Sequence, residues 1–520
     1  MFNFYIERNS MKSVSKISMF MYNKLSILGS LLCLSLLPLS GAQANQFYQF
    51  SHFQINAPFI ITQEPILADL IGTPGKEVIL IGEKDQQYKL AMFVFDVKTE
   101  QYKLHLNIDL PSNYFSYDVS DDNNDGVQSL YFLSSNHIIE FDPESEQPFK
   151  TVIDVSSIYI NDNANYLKQA NFVTDLNDDG ISDVILTDFK SLNIYLNQES
   201  GFTEQKLPIY PTVEIFDGSV SYTEKPYYLQ DMNFDKRKDI VLTGEGELLV
   251  FTQNDQGLFA TQEQKLAIRS EISSINWWDN RGADGSNLDQ SDFAHRSVHK
   301  LTDINNDGLA DMIVRFTQSS GVLDKSNDYE VYLGQSGKAM LTFAQKADTA
   351  ITSDGTLAQM NFIDINSNEQ QEVMASSFDI SVSQIIGALL TGSVDQKVLI
   401  FALDTKQRYQ QKFTEEVQLK FSLTSGKSGA PVIELADLDG DGSKELILSE
   451  SENQLKIFPG QSYGSLLNKK SQKLDVKLPK NGVLLSSDDI NLDGKSELIV
   501  RYGSEDGDNR QNRLLILHTK

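Results

Sequence analysis

The chain has 520 residues, with 72 Asp and Glu against 44 Lys and Arg and a formal charge of -28. That length is too great for one ordinary small domain and calls for several domains or a repeat array. The acidic balance argues against nucleic acid and anionic membrane surfaces as partners, which need basic patches, and suits hard cations with oxygen ligands.

The first element is a targeting segment. Lys12, Lys16 and Lys24 lead into an apolar stretch at 25–39 (LSILGSLLCLSLLPL), and GAQA at 41–44 ends in an Ala-x-Ala pattern. Residues 1–44 therefore read as a signal peptide cleaved after Ala44. The apolar run is too short for a stable span. Cys33, the single cysteine, lies inside it, and Leu32 stands where a lipoprotein signal carries a small residue. The long basic lead leaves Met11, Met19 and Met21 as alternative starts. The expected product is exported (periplasmic, cell-surface or extracellular) and lacks disulfides, so it needs another stabiliser. No later stretch is apolar enough to span a membrane.

Acidic stretches then recur along the chain. Their template is Asp-x-(Asp/Asn)-x-(Asp/Asn)-Gly-x-x-(Asp/Glu). DLIGTPGKE keeps only the outer acids Asp69 and Glu77 and reads as a metal-free turn. DDNNDGVQS offers Asp121, Asn123 and Asp125 but ends in Ser129. DLNDDGISD is a full match with Asp175, Asn177, Asp179 and Asp183. DMNFDKRKD has Asp231, Asn233, Asp235 and Asp239, with Lys236 in place of glycine. DINNDGLAD is full, with Asp303, Asn305, Asp307 and Asp311. DINSNEQQE from Asp364 has Asn368 and Glu369 at the fifth and sixth places and reads as degenerate. DLDGDGSKE is full, with Asp437, Asp439, Asp441 and Glu445, and so is DINLDGKSE, with Asp489, Asn491, Asp493 and Glu497. The starts lie 52, 54, 56, 72, 61, 73 and 52 residues apart. This is an internal repeat, and it decides the fold before any local reading.

One copy is also what an ordinary Asn-Asp-Gly hairpin turn looks like. A turn, however, needs no oxygen donor at every second position, and the pattern returns. Side chains at places one, three and five of a tight loop converge on one point. Glycine at the sixth place frees the reversal, the seventh carbonyl adds an oxygen, and the ninth acid closes the shell. Calcium, with about 6–8 oxygens, is the expected ion, several per chain and structural. The helix-flanked calcium loop ends at its twelfth place, so this is a different loop. The flanks DVILTD, DIVLTG, DMIVRF, ELILSE and ELIVRY are strand-like.

Acidic loops between strands at this spacing resemble the FG-GAP/VCBS repeats of integrin α-chain propellers and secreted bacterial proteins. The resemblance spans roughly residues 46–520. It implies an all-β chain: a β-propeller of four-stranded blades with calcium between the first two strands of each. The integrin Phe-Gly and Gly-Ala-Pro signatures are absent at the loops. Eight loops predict eight blades, with seven and a decayed first unit as the alternative. After the last loop only ELIVRY and RLLILHT remain, so QFYQFSHFQI (46–55) is expected to supply the missing outer strand and close the ring.

Two insertions are expected in the 45–520 domain, near 253–300 and 377–403. The first holds Trp277, Trp278, Asp279, Arg281, Asp284, Asp289 and Asp292. It reads as a recognition loop, or as a tryptophan packed between blades with a polar excursion. His295 and His299, four apart, would share a helix face, but HRSVH lacks the Glu of a zinc protease motif, and both read as surface residues. The second insertion reads as a buttressing helix or a long hairpin.

No P-loop or dinucleotide fingerprint occurs, and the loops account for most paired carboxylates. The leading expectation is a non-catalytic binding, adhesion or assembly module for a protein or glycan partner, with no catalytic residues. The alternative is a calcium-dependent polysaccharide lyase or hydrolase.

Overall fold

The computed structural model describes residues 47–520 except 122–124, 160–166, 199, 217–218, 278–291, 322–323, 380–386, 388–390 and 422–427. The signal-peptide segment, Asn123, Trp278, Asp279, Arg281, Asp284 and Asp289 thus lie outside the described residues.

The chain folds as an eight-bladed β-propeller. Each blade is built on antiparallel strands with one acidic loop joining its first two, and in the Asp121 blade the short strand Lys168–Gln169 adds a parallel pairing to Ser116–Ser120. In the blade of the Asp303 loop the order is Phe293–Thr302, Asp311–Gly321, Asp324–Tyr332 and Thr349–Ile351. In the next but one it is Ile433–Ala436, Glu445–Ser451, Gln454–Phe458 and Gln472–Asp475.

The central strands are apolar runs because both faces of a blade are covered. In Glu445–Ser451, Ile447 packs with Leu498 and Val500 of the following blade. Its neighbours Leu446 and Leu448 pack with Val398 and Ile400 of the preceding one. Successive side chains of a strand point to opposite faces, so alternate residues serve two interblade cores. Ile499 continues the pattern against Val78 and Leu80. Each such fully buried side chain contributes about 1.5–3 kcal/mol. Outer strands carry the solvent face, as in Gln101–Asp109, where no residue is fully buried.

The ring closes as the strand count predicts. Phe50–Asn56 pairs antiparallel with Arg513–Thr519, from Phe50 opposite Thr519 to Asn56 opposite Arg513. Just before it, buried Tyr48 joins the core between the last two blades. The Gln472 amide clamps that segment, accepting from the Tyr48 N–H at 2.8 Å and donating to the Tyr48 carbonyl at 2.8 Å.

Several segments differ from expectation. The insertion near 253–300 is narrower, because Gln264–Ala267 is an outer blade strand and Phe293–Thr302 an inner one. His295 and His299 therefore lie on a strand, not a helix. The β-branched and aromatic residues of that run pair with Asp311–Gly321, and a bulge falls between Val298 and Lys300. His295 is buried, with Nε2 2.8 Å from the Ile275 carbonyl. The insertion near 377–403 also contracts, since Ser393–Leu403 is the third strand of its blade. An additional hairpin, Thr212–Phe216 with Ser219–Thr223, precedes the Asp231 blade and exposes Val213, Ile215, Val220 and Tyr222. Among the described residues no helix is long and apolar enough to cross a membrane.

Candidate metal centres

The loops are built by their own first aspartate. Asp175 accepts the Asp179 N–H on Oδ1 at 3.2 Å and the Gly180 N–H on Oδ2 at 2.9 Å. Asp303 does the same with Asp307 and Gly308 at 3.2 and 2.7 Å, and Asp489 with Asp493 and Gly494 at 3.1 and 2.9 Å. Asp121 likewise takes the Asp125 and Gly126 N–H groups. The side chain at the fifth place then accepts the N–H two residues on, as Asp179 does from Ile181 at 2.9 Å. The winding requires left-handed backbone at the sixth place, where Gly180, Gly308 and Gly494 have φ of 82°, 82° and 89°. Glycine adopts that conformation without a Cβ penalty.

The ninth carboxylate is a buried staple. Asp183, the first residue of its strand, accepts the Leu176 N–H at 3.1 Å and the Asn197 N–H of the third strand at 2.8 Å. Asp239 bonds Met232 and Gln253, Asp311 bonds Ile304 and Gly334, and Glu445 bonds Leu438 and Gly460 in the same way. Glu372 and Glu497 take the corresponding N–H groups of Ile365 and Ile490. Burial pushes these acids up, Asp183 and Asp239 to about 6, Asp311, Glu372 and Glu445 to about 7, and Glu497 to about 8. Acids of the same loop push the same way in each of these. For Asp183, Asp239, Asp311 and Glu497 backbone N–H groups alone oppose the rise. A proton or a cation relieves charge buried in this way.

In front of the staple lie the exposed donors. One carboxylate oxygen from each of Asp437, Asp439 and Asp441 lies within 4.8 Å of the others. Burial and the neighbouring Asp441 push Asp439 above its usual range, and Lys495 of the next loop pulls it back in part. Where the third place is asparagine, its amide donates to the fifth acid: Asn177 to Asp179 at 2.9 Å, Asn305 to Asp307 at 3.1 Å, Asn491 to Asp493 at 3.2 Å and Asn233 to Asp235 at 3.0 Å. An all-oxygen set, open to solvent in front and closed by a buried acid behind, fits a hard cation such as Ca²⁺.

The other loops grade away from this set. The Asp364 loop keeps the backbone winding, with Asn368 and Glu369 N–H groups on Asp364 at 3.1 and 2.8 Å, but has an amide at the fifth place. The Asp69 loop winds differently. Its Glu77 accepts the Leu70 N–H at 2.6 Å and the Thr73 hydroxyl at 2.9 Å, and Ile71 stands at the third place. The Asp121 loop ends in Ser129, and Asp118 supplies a buried carboxylate nearby. It accepts the N–H groups of Val119, Phe172 and Val173 at 2.9, 2.7 and 2.8 Å. Asp118 was invisible to the template because it precedes the loop and acts on the next blade.

The loops also tie neighbouring blades together. Lys76 N–H donates to the Ile490 carbonyl at 2.7 Å, Gln371 to Ile304 at 2.9 Å, Lys444 to Ile365 at 2.8 Å and Gln128 to Asp69 at 2.6 Å. Each donor is the eighth residue of one loop and each acceptor the first or second of its neighbour, so order in a loop bears on the blade junction. Of the expected recognition loop, Trp277 is half-buried, 5.3 Å from the Phe293 ring and 4.3 Å below the Lys325 ammonium.

No protein-family model matches the chain, and no curated protein matches it. Among solved structures it is similar to an Agrocybe aegerita lectin described as recognising non-reducing terminal N-acetylglucosamine, at 14% identity over 80% of this chain and 94% of that one, with a TM-score of 0.42. It is similar to the exotype rhamnogalacturonan lyase YesX at 11% identity over 91% and 72%, with a TM-score of 0.36. A V. cholerae biofilm matrix protein follows at 11% identity over 89% and 88%, with a TM-score of 0.29. Likeness this distant carries no argument, and the blade count rests on the strand pairing of this chain.

Proposed function

We propose that this protein is an exported, calcium-stabilised β-propeller of the FG-GAP/VCBS-like kind. Its role is a non-catalytic binding or assembly module for a protein or glycan partner. The observation that carries the reading is the recurring loop in which exposed oxygen donors stand before a buried ninth acid. The ions would be held by Asp175, Asn177, Asp179 and Asp183; by Asp303, Asn305, Asp307 and Asp311; by Asp437, Asp439, Asp441 and Glu445; and by Asp489, Asn491, Asp493 and Glu497, with Asp121 and Asp125 offering a weaker set. A bound cation supplies positive charge that neutralises these acids, and the chain's own hydrogen bonds then pass loop order to the blade junctions. The propeller provides a rigid scaffold, and recognition falls to its surface loops.

The test is a thermal melt of the protein in chelator, in calcium and in magnesium, followed by a glycan array and a pull-down from secreted proteins. Calcium should raise the melting temperature and magnesium should do so poorly, since it dehydrates reluctantly and demands octahedral geometry. Identical melts in chelator and calcium would refute the metal reading.

A further inference from the structure

The Asp231 loop does not fit calcium as its sister loops do. We infer that it carries its own cation: the Arg237 guanidinium takes the place an ion takes elsewhere, and the junction between the Asp175 and Asp231 blades is independent of calcium. The inference rests on the calcium reading of the other loops and deepens it.

The winding itself is intact. Asp231 accepts the Asp235 N–H at 3.2 Å and the Lys236 N–H at 2.7 Å, and Asp239 keeps both staple bonds. Lys236 adopts φ of 70° where the full loops have glycine, so the hydrogen bonds alone hold a conformation that a side chain disfavours. The difference is in charge. Asp235 Oδ2 accepts Arg237 Nη2 at 2.6 Å as well as the Asn233 amide at 3.0 Å, while Oδ1 accepts the Arg237 N–H at 3.0 Å. In the Asp175 loop the equivalent oxygen of Asp179 meets the Asn177 amide, and the seventh residue is Ile181. The guanidinium is anchored from behind, with Nε donating to the Gln253 carbonyl at 3.2 Å. An ion at this loop would have to displace an anchored, charge-assisted bond from its fifth ligand.

The next residue extends the arrangement across the junction. Lys238 Nζ donates to Asp178 Oδ1 at 2.7 Å and reaches the Asp175 carbonyl at 3.4 Å. In the loops of Asp69, Asp121, Asp364, Asp437 and Asp489 the eighth residue ties to the neighbouring loop through its backbone N–H. Gln253 completes the join, giving its N–H to Asp239 and its side-chain amide to the Leu176 carbonyl at 2.8 Å.

The test counts calcium bound per chain by elemental mass spectrometry on the intact protein, with circular dichroism to confirm folding of each variant. Asp307→Asn should lower the count by one ion, and Asp235→Asn should leave it unchanged. The double variant Lys236→Gly with Arg237→Leu should gain one ion. A count that falls by one in Asp235→Asn overturns the inference, because the loop then takes calcium alongside Arg237. So does a double variant that folds and gains none. A parent that binds no calcium overturns the calcium reading and the contrast between loops with it, and the zero count in the parent identifies that failure.

Discussion

The Asp437 and Asp231 loops share a fold and differ in how their charge is met. Both wind their backbone on the first acid and staple themselves with a buried ninth carboxylate. Around Asp437, three carboxylates gather within 4.8 Å of one another. Around Asp231, asparagine occupies the third place and Arg237 covers the fifth acid. The lesson is that hydrogen bonds specify the loop's shape, whereas its demand for a cation is set by side chains the shape does not require.

The largest effect should be common to both loops. Glu445→Ala orphans the Leu438 and Gly460 N–H groups, and Asp239→Ala orphans those of Met232 and Gln253. At about 1–3 kcal/mol for each buried donor, either change should cost about 3 kcal/mol in chelator; calcium should leave the Asp239→Ala cost unchanged and enlarge that of Glu445→Ala, which also removes a ligand. Chemical denaturation of both variants checks it, and a silent Asp239→Ala would break the idea of a shared frame.

The next effect should separate the loops. Calcium in hundredfold excess over its Kd stabilises a folded site by about 2–3 kcal/mol. Asp441→Ala should lose that share of the calcium-induced gain and match the parent's melt in chelator. Asp235→Ala should leave the calcium-induced gain intact. Equal losses in the two variants would erase the distinction.

Asp118 gives a comparison outside the loops, a carboxylate that holds backbone N–H groups across a blade junction. Burial pushes it up to about 6 against the partial relief of three N–H bonds. A carboxyl raised above its unfolded value favours the fold most below pH ~4, and that advantage is lost as pH rises through about 6. Asp118→Asn does not titrate, so its stability deficit relative to the parent should shrink by about 2 kcal/mol between pH 4 and pH 8. Paired denaturation curves across that range measure it, and a constant deficit would mean that Asp118 does not titrate in this window.

The smallest effect belongs to Arg237. Its side chain is 36% exposed and that of Asp235 26%, so Arg237→Gln should cost under about 1 kcal/mol in chelator. Added calcium should recover that loss, because the freed Asp235 becomes available to an ion. Melts of this variant with and without calcium are the readout, and a loss that calcium leaves untouched would put the role of Arg237 in packing.

Much of the architecture was legible in the chain because the repeat is local. Nine residues from Asp303 to Asp311 hold every hydrogen bond that winds the loop, and short-range donors and acceptors leave their spacing in the sequence. The apolar runs after each loop, such as Met312, Ile313 and Val314, announce strands covered on both faces. The strand shortfall after Asp489 pointed to the N-terminal partner. The hairpin at Thr212–Phe216 and Ser219–Thr223 was missed because its exposed Val213, Ile215 and Val220 serve no core that would impose a period. The template also treated Lys236 and Glu369 as breaks, yet both adopt left-handed backbone, with φ of 70° and 66°, under bonds from Asp231 and Asp364.

What the sequence determined by itself is therefore the unit: its loop, its flanking strands and the number of copies. Tertiary structure alone decided what each unit touches. Lys238 finds Asp178 60 residues back, Gln253 finds Leu176 77 residues back, and Asp118 finds Phe172 54 residues on. Those pairings carry no local spacing to read. They exist because the propeller packs successive blades side by side, and a buried acid or amide must then bond whatever backbone group the neighbouring blade presents.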